Sequence, residues 1–318
     1  MELLLLVGLS VLLAGSGSAE LVPGFNPCRN FFYKSTPPTG FETQNEKNIC
    51  QKYSNAYHFA TLYNVNYRIP IWSAYILDTK SCPTEALKKR AWFIEPQLTN
   101  PQAATEMMTP SDSGLDTKDI KVNQALSTDY EDTNYDRGHL NPNAFQCGIH
   151  RTATFTLTNA APMDPCFNRI YWYKNERNLK TGLNNKCVNK GGTAYLVTGT
   201  VPNNNQKIPD PNDDKESDNP REFSRVSVPS HVWTAVCCYF PRTGSKFSAA
   251  FLAVNKPESV IQSLSVHDLQ ENLKQFYPSH DLKIFGDDSC NGNLIEHLIM
   301  TLDEMTLEVE AGSQPPEF

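Results

Sequence analysis

The tetrad Asp136-Arg137-Gly138-His139, followed downstream by Asn168, Trp172 and Glu176, brings together a base, a phosphate-binding cation and oxygen ligands for a hard metal ion. Hydrolysis of a phosphodiester needs those three functions. A water must lose a proton and be held in line, and charge growing on the phosphoryl and leaving oxygens must be neutralised. Imidazole has an unperturbed pKa of about 6.5, so His139 suits the proton transfer. Gly138 beside it lets backbone or substrate approach closely. Arg137 offers a planar fork of donors that matches a phosphate. Asp136 reads either as a partner that orients this arginine or as a residue that shapes the turn.

The metal end lies on a helix. Asp164 reads as its N-cap, Pro165 as its first residue and Gly182 as its stop. Asn168, Trp172 and Glu176 then recur at i, i+4 and i+8 and share one face. Eight residues rise about 12 Å, so one ion is not bound directly by both Asn168 and Glu176. Asn168 as direct ligand, with Glu176 acting through a metal-bound water, fits that distance. Sparse oxygen ligation suits magnesium, with manganese or calcium as alternatives. Trp172 reads as core packing. Taken singly, a four-residue motif and an Asn near a helix start are weak signals, and their combination carries the weight.

Other elements must hold these residues. Apolar and β-branched runs predict strands over residues 69–77, 91–95, 154–158, 194–198, 232–240 and 247–254, and a second helix over 267–277. The Asn-, Asp- and Pro-rich stretch 203–220 reads as a surface loop inside the domain. The segments before Cys28 and after Asp303 carry no packing pattern and are expected to be poorly ordered. Residues 3–13 form an apolar run followed by small residues up to Ala19, which reads as a signal peptide over 1–19. No later stretch is long and apolar enough for a membrane anchor. The expectation is a secreted protein, with a vesicle or lysosomal lumen as the alternative.

All nine cysteines follow residue 19, so several disulfides are expected, with one thiol left over. The adjacent Cys237 and Cys238 sit in a predicted strand, where neighbours point to opposite faces and find different partners. Removing residues 1–19 takes away only Glu2 and changes the net charge from -7 to about -6, unusual for a nucleic-acid binder. Phosphate contacts need only a local basic surface. Arg169, Lys174, Arg177, Lys180, Lys186 and Lys190, against Glu176 alone, supply one beside the motif.

Three segments carry a resemblance: Tyr135-Asp136-Arg137-Gly138-His139-Leu140-Asn141-Pro142, Phe155-Thr156-Leu157-Thr158-Asn159-Ala160-Ala161-Pro162, and Asn168, Trp172 and Glu176 at four-residue spacing. They resemble the DNA/RNA non-specific endonuclease family, with its ββα-metal active site. The likeness spans roughly residues 57–273, including Arg68-Ile69-Pro70-Ile71-Trp72-Ser73-Ala74-Tyr75 and Lys89-Arg90-Ala91-Trp92. It implies an α+β fold with a mixed or antiparallel central sheet flanked by helices, as a single domain over 20–303 with a tail at 304–318. It further implies His139 as general base, Asn168 as magnesium ligand, Glu176 in the ion's outer shell and Arg137 on the phosphate. Arg90 is then a second phosphate-contacting arginine, and Asn159 a residue that contacts substrate or holds the site.

Met163 departs from the family, which commonly has Gln there, and cannot supply the same hydrogen bonds. The leading expectation is an endonuclease acting on DNA and RNA. The competing readings are a disulfide-bonded binding protein with weak turnover, which takes nucleic acid or protein on the same fold, and a metal-dependent phosphatase or phosphodiesterase for small substrates.

Overall fold

Ile69, Ile71, Trp72, Ala74 and Tyr75 are all buried, so the strand they form must lie in a sheet covered on both faces. The computed structural model describes residues 20–79, 82, 91–212, 222–279 and 281–291. Its strands are β1 (Leu21–Val22), β2 (Glu46–Tyr53), β3 (Ala56–Asn64), β4 (Ile69–Ile76), β5 (Asp136–His139), β6 (Ala160–Met163), β7 (Thr193–Val201), β8 (Lys207–Ile208), β9 (Val226–Ser227), β10 (His231–Tyr239), β11 (Lys246–Val254) and β12 (Gln262–Leu264). The α-helices are α1 (Pro96–Thr99), α2 (Pro110–Ser113), α3 (Thr117–Asn123), α4 (Gly148–Ala153), α5 (Tyr173–Lys186) and α6 (Val266–Leu273).

Eight strands form one sheet in the order β1-β2-β3-β4-β7-β10-β11-β12. Every pairing in it is antiparallel. The fold is therefore α+β, with β4 and β7 at the middle of the sheet and helices over its faces.

The sheet divides two cores. Alternation along β10 sends Val232, Val236 and Cys238 to one and Trp233, Ala235 and Cys237 to the other. The first core holds Tyr75, Met163, Phe167, Trp172 and Leu179, and so carries β5, β6 and α5. The second packs Phe32, Phe41, Trp72 and Trp233 beneath α6.

The same alternation decides the disulfides: Cys238 reaches Cys187 at the end of α5, and Cys237 reaches Cys290 on the opposite face. Cys28–Cys50 and Cys82–Cys147 complete four bridges, and Cys166 is the free thiol.

Some expectations change. Strands β2 and β3 carry Lys, Gln, His and Asn among their aromatics, which hid them from an apolar-run search. Residues 91–95 and 154–158 are not strands: they make one parallel bridge, Phe93 with Thr156, and an antiparallel one from Ile94 to Met108. The polar side chains of Thr156 and Thr158 turn instead to Glu95. Gly182 does not stop the helix: it is a buried residue inside α5. The stretch 203–220 is not wholly loop: β8 pairs with β9 and buries Ile208. Of the segment before Cys28, residues 20–27 are ordered, since β1 pairs with β2. Residues 1–19 and 304–318 lie outside the described residues.

The Cys187–Cys238 bridge closes a separation of 51 residues between α5 and the sheet. Replacing both cysteines with alanine is expected to lower the unfolding free energy by about 4 kcal/mol, read by denaturant titration at unchanged secondary structure. Equal midpoints would show that this tie contributes nothing to the native state.

Candidate active site

Strand β5 lays out the motif by its two-residue period. Arg137 and His139 both meet the indole of Trp92. The guanidinium stands 5.3 Å over that ring and the imidazole centroid is 4.9 Å from it. Phe155 closes the other side of His139 edge-on at 4.9 Å. Part of His139 reaches the surface, but its Nε2 is buried without a hydrogen-bond partner among the described residues. Burial, with the Arg137 charge adding to it, lowers the imidazole pKa to about 3. The ring is thus kept neutral, in the form that accepts a proton.

Asp136 serves neither of its expected purposes. It lies in a strand rather than a turn, and it pairs with Arg169 rather than Arg137, at 2.8 Å and 2.6 Å to its two carboxylate oxygens. The same carboxylate accepts from Asn168 Nδ2 at 3.0 Å. A carboxylate only accepts here, so the Asn168 amide must face it with its nitrogen. The amide oxygen, which has no hydrogen-bond partner among the described residues, is left as a donor for a cation.

Asp164 caps the helix as expected, its Oδ1 accepting from Phe167 N–H at 2.9 Å. The next residues, Phe167–Trp172, are wound as a π-helix before α5 begins. This wider turn changes the assumed spacing, and such turns recur at functional sites. Asn168, Trp172 and Glu176 all lie on the protein-facing side, while Arg169, Ile170, Tyr173, Lys174 and Arg177 are exposed. Trp172 is core, as expected. Burial pushes the Glu176 carboxyl up to about 8, and the nearby Trp172 indole pulls slightly the other way.

The structure therefore brings Asp136, Asn168 and Arg169 into one cluster and Arg137 and His139 into another, joined through β5. Glu176 lies next to Trp172 and Tyr75. An open pocket of about 280 Å³ runs alongside, lined by Tyr130, Glu131, Thr133, Tyr135, Asp136, Arg137, Pro165 and Arg169.

Asn159 is fully buried and its side chain is saturated. Its Oδ1 accepts from Ser73 Oγ at 3.0 Å and Asn141 N–H at 2.9 Å, and its Nδ2 donates to Asn141 and Thr154 carbonyls at 3.1 Å and 3.0 Å. Of its two expected roles, the geometry supports holding the site. Contact with substrate is excluded by burial and by the lack of a free polar atom. Arg90 lies outside the described residues.

Met163 is also buried, and its side chain lies against Gly138. A Cβ on Gly138 would stand 2.2 Å from the methionine sulfur. Met163 thus packs beneath the motif strand and explains why its third residue is glycine. Sequence reasoning missed Trp92 and Phe155 as walls of the histidine slot, and Arg169 as partner of Asp136. An aromatic within the Lys89-Arg90-Ala91-Trp92 segment was the available signal.

The sequence profile of the DNA/RNA non-specific endonucleases matches residues 36–284. The chain belongs to this family. It is 33% identical over 269 residues to the human (Homo sapiens) endonuclease domain-containing 1 protein, covering 84% of this chain and 49% of that one. The mouse (Mus musculus) protein of the same name is 31% identical over 280 residues, covering 86% and 50%. The chain thus spans about half the length of the curated relatives it matches. Among solved structures, a crystal structure of an EndoG/EndoGI complex aligns with a TM-score of 0.47 and 18% identity, covering 74% of this chain and 85% of that one.

Two outcomes follow from this geometry. A base held neutral well below pH 6.5 places any acid limb of the pH–rate profile due to His139 below that value, whereas a limb at 6.5 or above would mean a solvated ring. Gly138→Ala must displace Met163 or β5. Overpacking of this kind costs about 1–3 kcal/mol, and a lowered melting temperature together with lost cleavage is the expected reading.

Proposed function

We propose that the chain is a secreted, metal-dependent endonuclease that hydrolyses DNA and RNA with little sequence preference. The observation that carries this reading is the Asp136 carboxylate engaging the Asn168 amide nitrogen and so leaving the amide oxygen unengaged, on the strand that holds Arg137 and His139. Binding alone has no need of a neutral base in an aromatic slot beside an oriented amide.

In this reading the neutral imidazole of His139 takes the proton of the attacking water. Arg137 holds a phosphate oxygen from its seat on Trp92. Arg90 adds a second cationic contact. Asn159 keeps Leu140 and Asn141 in place behind the histidine, through its backbone carbonyl and its side chain.

The residues fit a hard divalent cation. Asn168 offers one amide oxygen, and no cluster of three His, Cys, Asp or Glu exists among the described residues. That is the sparse set magnesium accepts, since it keeps waters and bonds substrate oxygens. When bound, the ion would polarise the phosphate and stabilise its developing charge. In this reading Glu176, which has no salt-bridge partner among the described residues, holds a water of that ion. Manganese or calcium could occupy the same ligand.

The exposed Arg169, Lys174 and Arg177 provide a surface for the polynucleotide backbone. Backbone contacts carry no sequence information, which accords with low specificity. Export after removal of residues 1–19 is supported by the four disulfides. Among the described residues no helix is long and apolar enough to cross a membrane.

Plasmid degradation by the chain starting at Glu20 is expected to stop in EDTA. His139→Ala should reduce the rate by on the order of 10²–10⁴ while leaving the fold intact. Cleavage that survives both treatments would refute the assignment. Independently of turnover, magnesium is expected to raise the melting temperature of the native chain but not of Asn168→Ala, since a ligand bound only by the folded state stabilises it.

A further inference from the structure

Glu20, the first residue after the predicted leader, is wholly buried. Its backbone N–H donates to Gln97 Oε1 at 3.0 Å and its carbonyl accepts from Cys50 at 2.9 Å. Its Oε1 accepts from Gln51 Nε2 at 3.0 Å. Glu95, equally buried, lies against it and accepts from Thr156 and Thr158 hydroxyls at 2.6 Å and 2.8 Å through Oε1.

Among the described residues no donor group meets Glu20 Oε2, Glu95 Oε2 or Gln51 Oε1, so through these oxygens the two carboxyls can bond only to each other, by sharing a proton. Glu106 adds more negative charge nearby, while the Lys52 ammonium donates to Thr105 and stands 4.0 Å from Glu106. Neither Glu20 nor Glu95 has a salt bridge among the described residues. Two facing carboxyls in a dry site cannot both ionise without a cation, and three acceptors that no donor group meets are rarely left so in a native core.

We infer that this pocket is a receptor for the protein's own new N-terminus. Hydrolysis of the Ala19–Glu20 peptide bond consumes one water, leaves a carboxylate on Ala19 and an amine on Glu20, and the amine takes up a proton. The resulting ammonium adds a charge and two further N–H donors at the Glu20 nitrogen, beside the Glu20–Glu95 pair. Glu95 holds Thr156 and Thr158, which flank the segment leading to Asn159, so removal of the leader tightens the loop that braces His139. The inference rests on cleavage after Ala19 and not on the nuclease chemistry.

The sign of the pH dependence is fixed. A free α-amino group titrates near 7.7–8.0, and carboxylates beside it raise that value in the folded state. The stabilisation is fully present below the unfolded value and disappears as pH rises through the folded one.

Two forms of the chain serve as the test, one starting at Glu20 and one retaining Ala19. At neutral pH the first is expected to melt higher by on the order of 2–4 °C. The gap should close in alkaline solution, and Glu95→Gln should remove it. A second readout needs no variant. At neutral pH, an amine-selective reagent should label the Glu20 α-amine at least tenfold more slowly in the folded protein than in the unfolded chain. Equal melting of the two forms, or labelling at the unfolded rate, would overturn the inference. So would a secreted protein whose first residue is not Glu20.

Discussion

One buried amide ties the Asp-Arg-Gly-His strand to the rest of the molecule. Asn159 bonds simultaneously to Ser73 on the central strand, to the Asn141 backbone just beyond His139, and to the Thr154 carbonyl. Ser73 in turn meets Thr61 at 2.9 Å, so the hairpin β5–β6 is anchored two strands deep in the sheet. Removing such a group leaves several buried donors and acceptors unpaired, each costing about 1–3 kcal/mol. The site therefore rests on a polar network set inside an apolar core, and its geometry is only as firm as that network.

Around this anchor the site separates its tasks by the pleat of a single strand. One set of side chains on β5 faces Trp92, where Arg137 and His139 share an aromatic wall and the histidine is dried enough to stay neutral. Asp136 turns instead to the helix start and fixes Asn168 by the one orientation a carboxylate permits. The wide first turn of the helix sets the amide at that position while Trp172 remains in the core. Met163 under Gly138 fills the space where the family commonly carries Gln, so this departure is a packing change beneath the motif strand.

Much of this was legible in the sequence. The four long apolar strands, the Asp164 cap and the core role of Trp172 follow from periodicity and capping chemistry, and the split of Cys237 from Cys238 follows from strand alternation. What was hidden depended on contacts between distant segments. Nothing local marks Asp136 as the partner of Arg169 and Asn168 rather than Arg137, because that choice arises only once β5 is laid against the helix. The brace role of Asn159 likewise needs Ser73, 86 residues away. Strands β2 and β3 escaped notice because their polar residues are satisfied by partners such as Glu20, Ser73 and His150, which a linear reading cannot pair with them.

The central claim is that the imidazole of His139 is the base at an oriented-amide metal site. Chemical rescue tests it most directly: His139→Gly, assayed on a defined duplex with magnesium, in the presence of free imidazole. The account predicts a near-inactive variant whose cleavage rate rises with imidazole concentration and follows the neutral fraction of the added base. A variant that cleaves at the native rate without imidazole would contradict it.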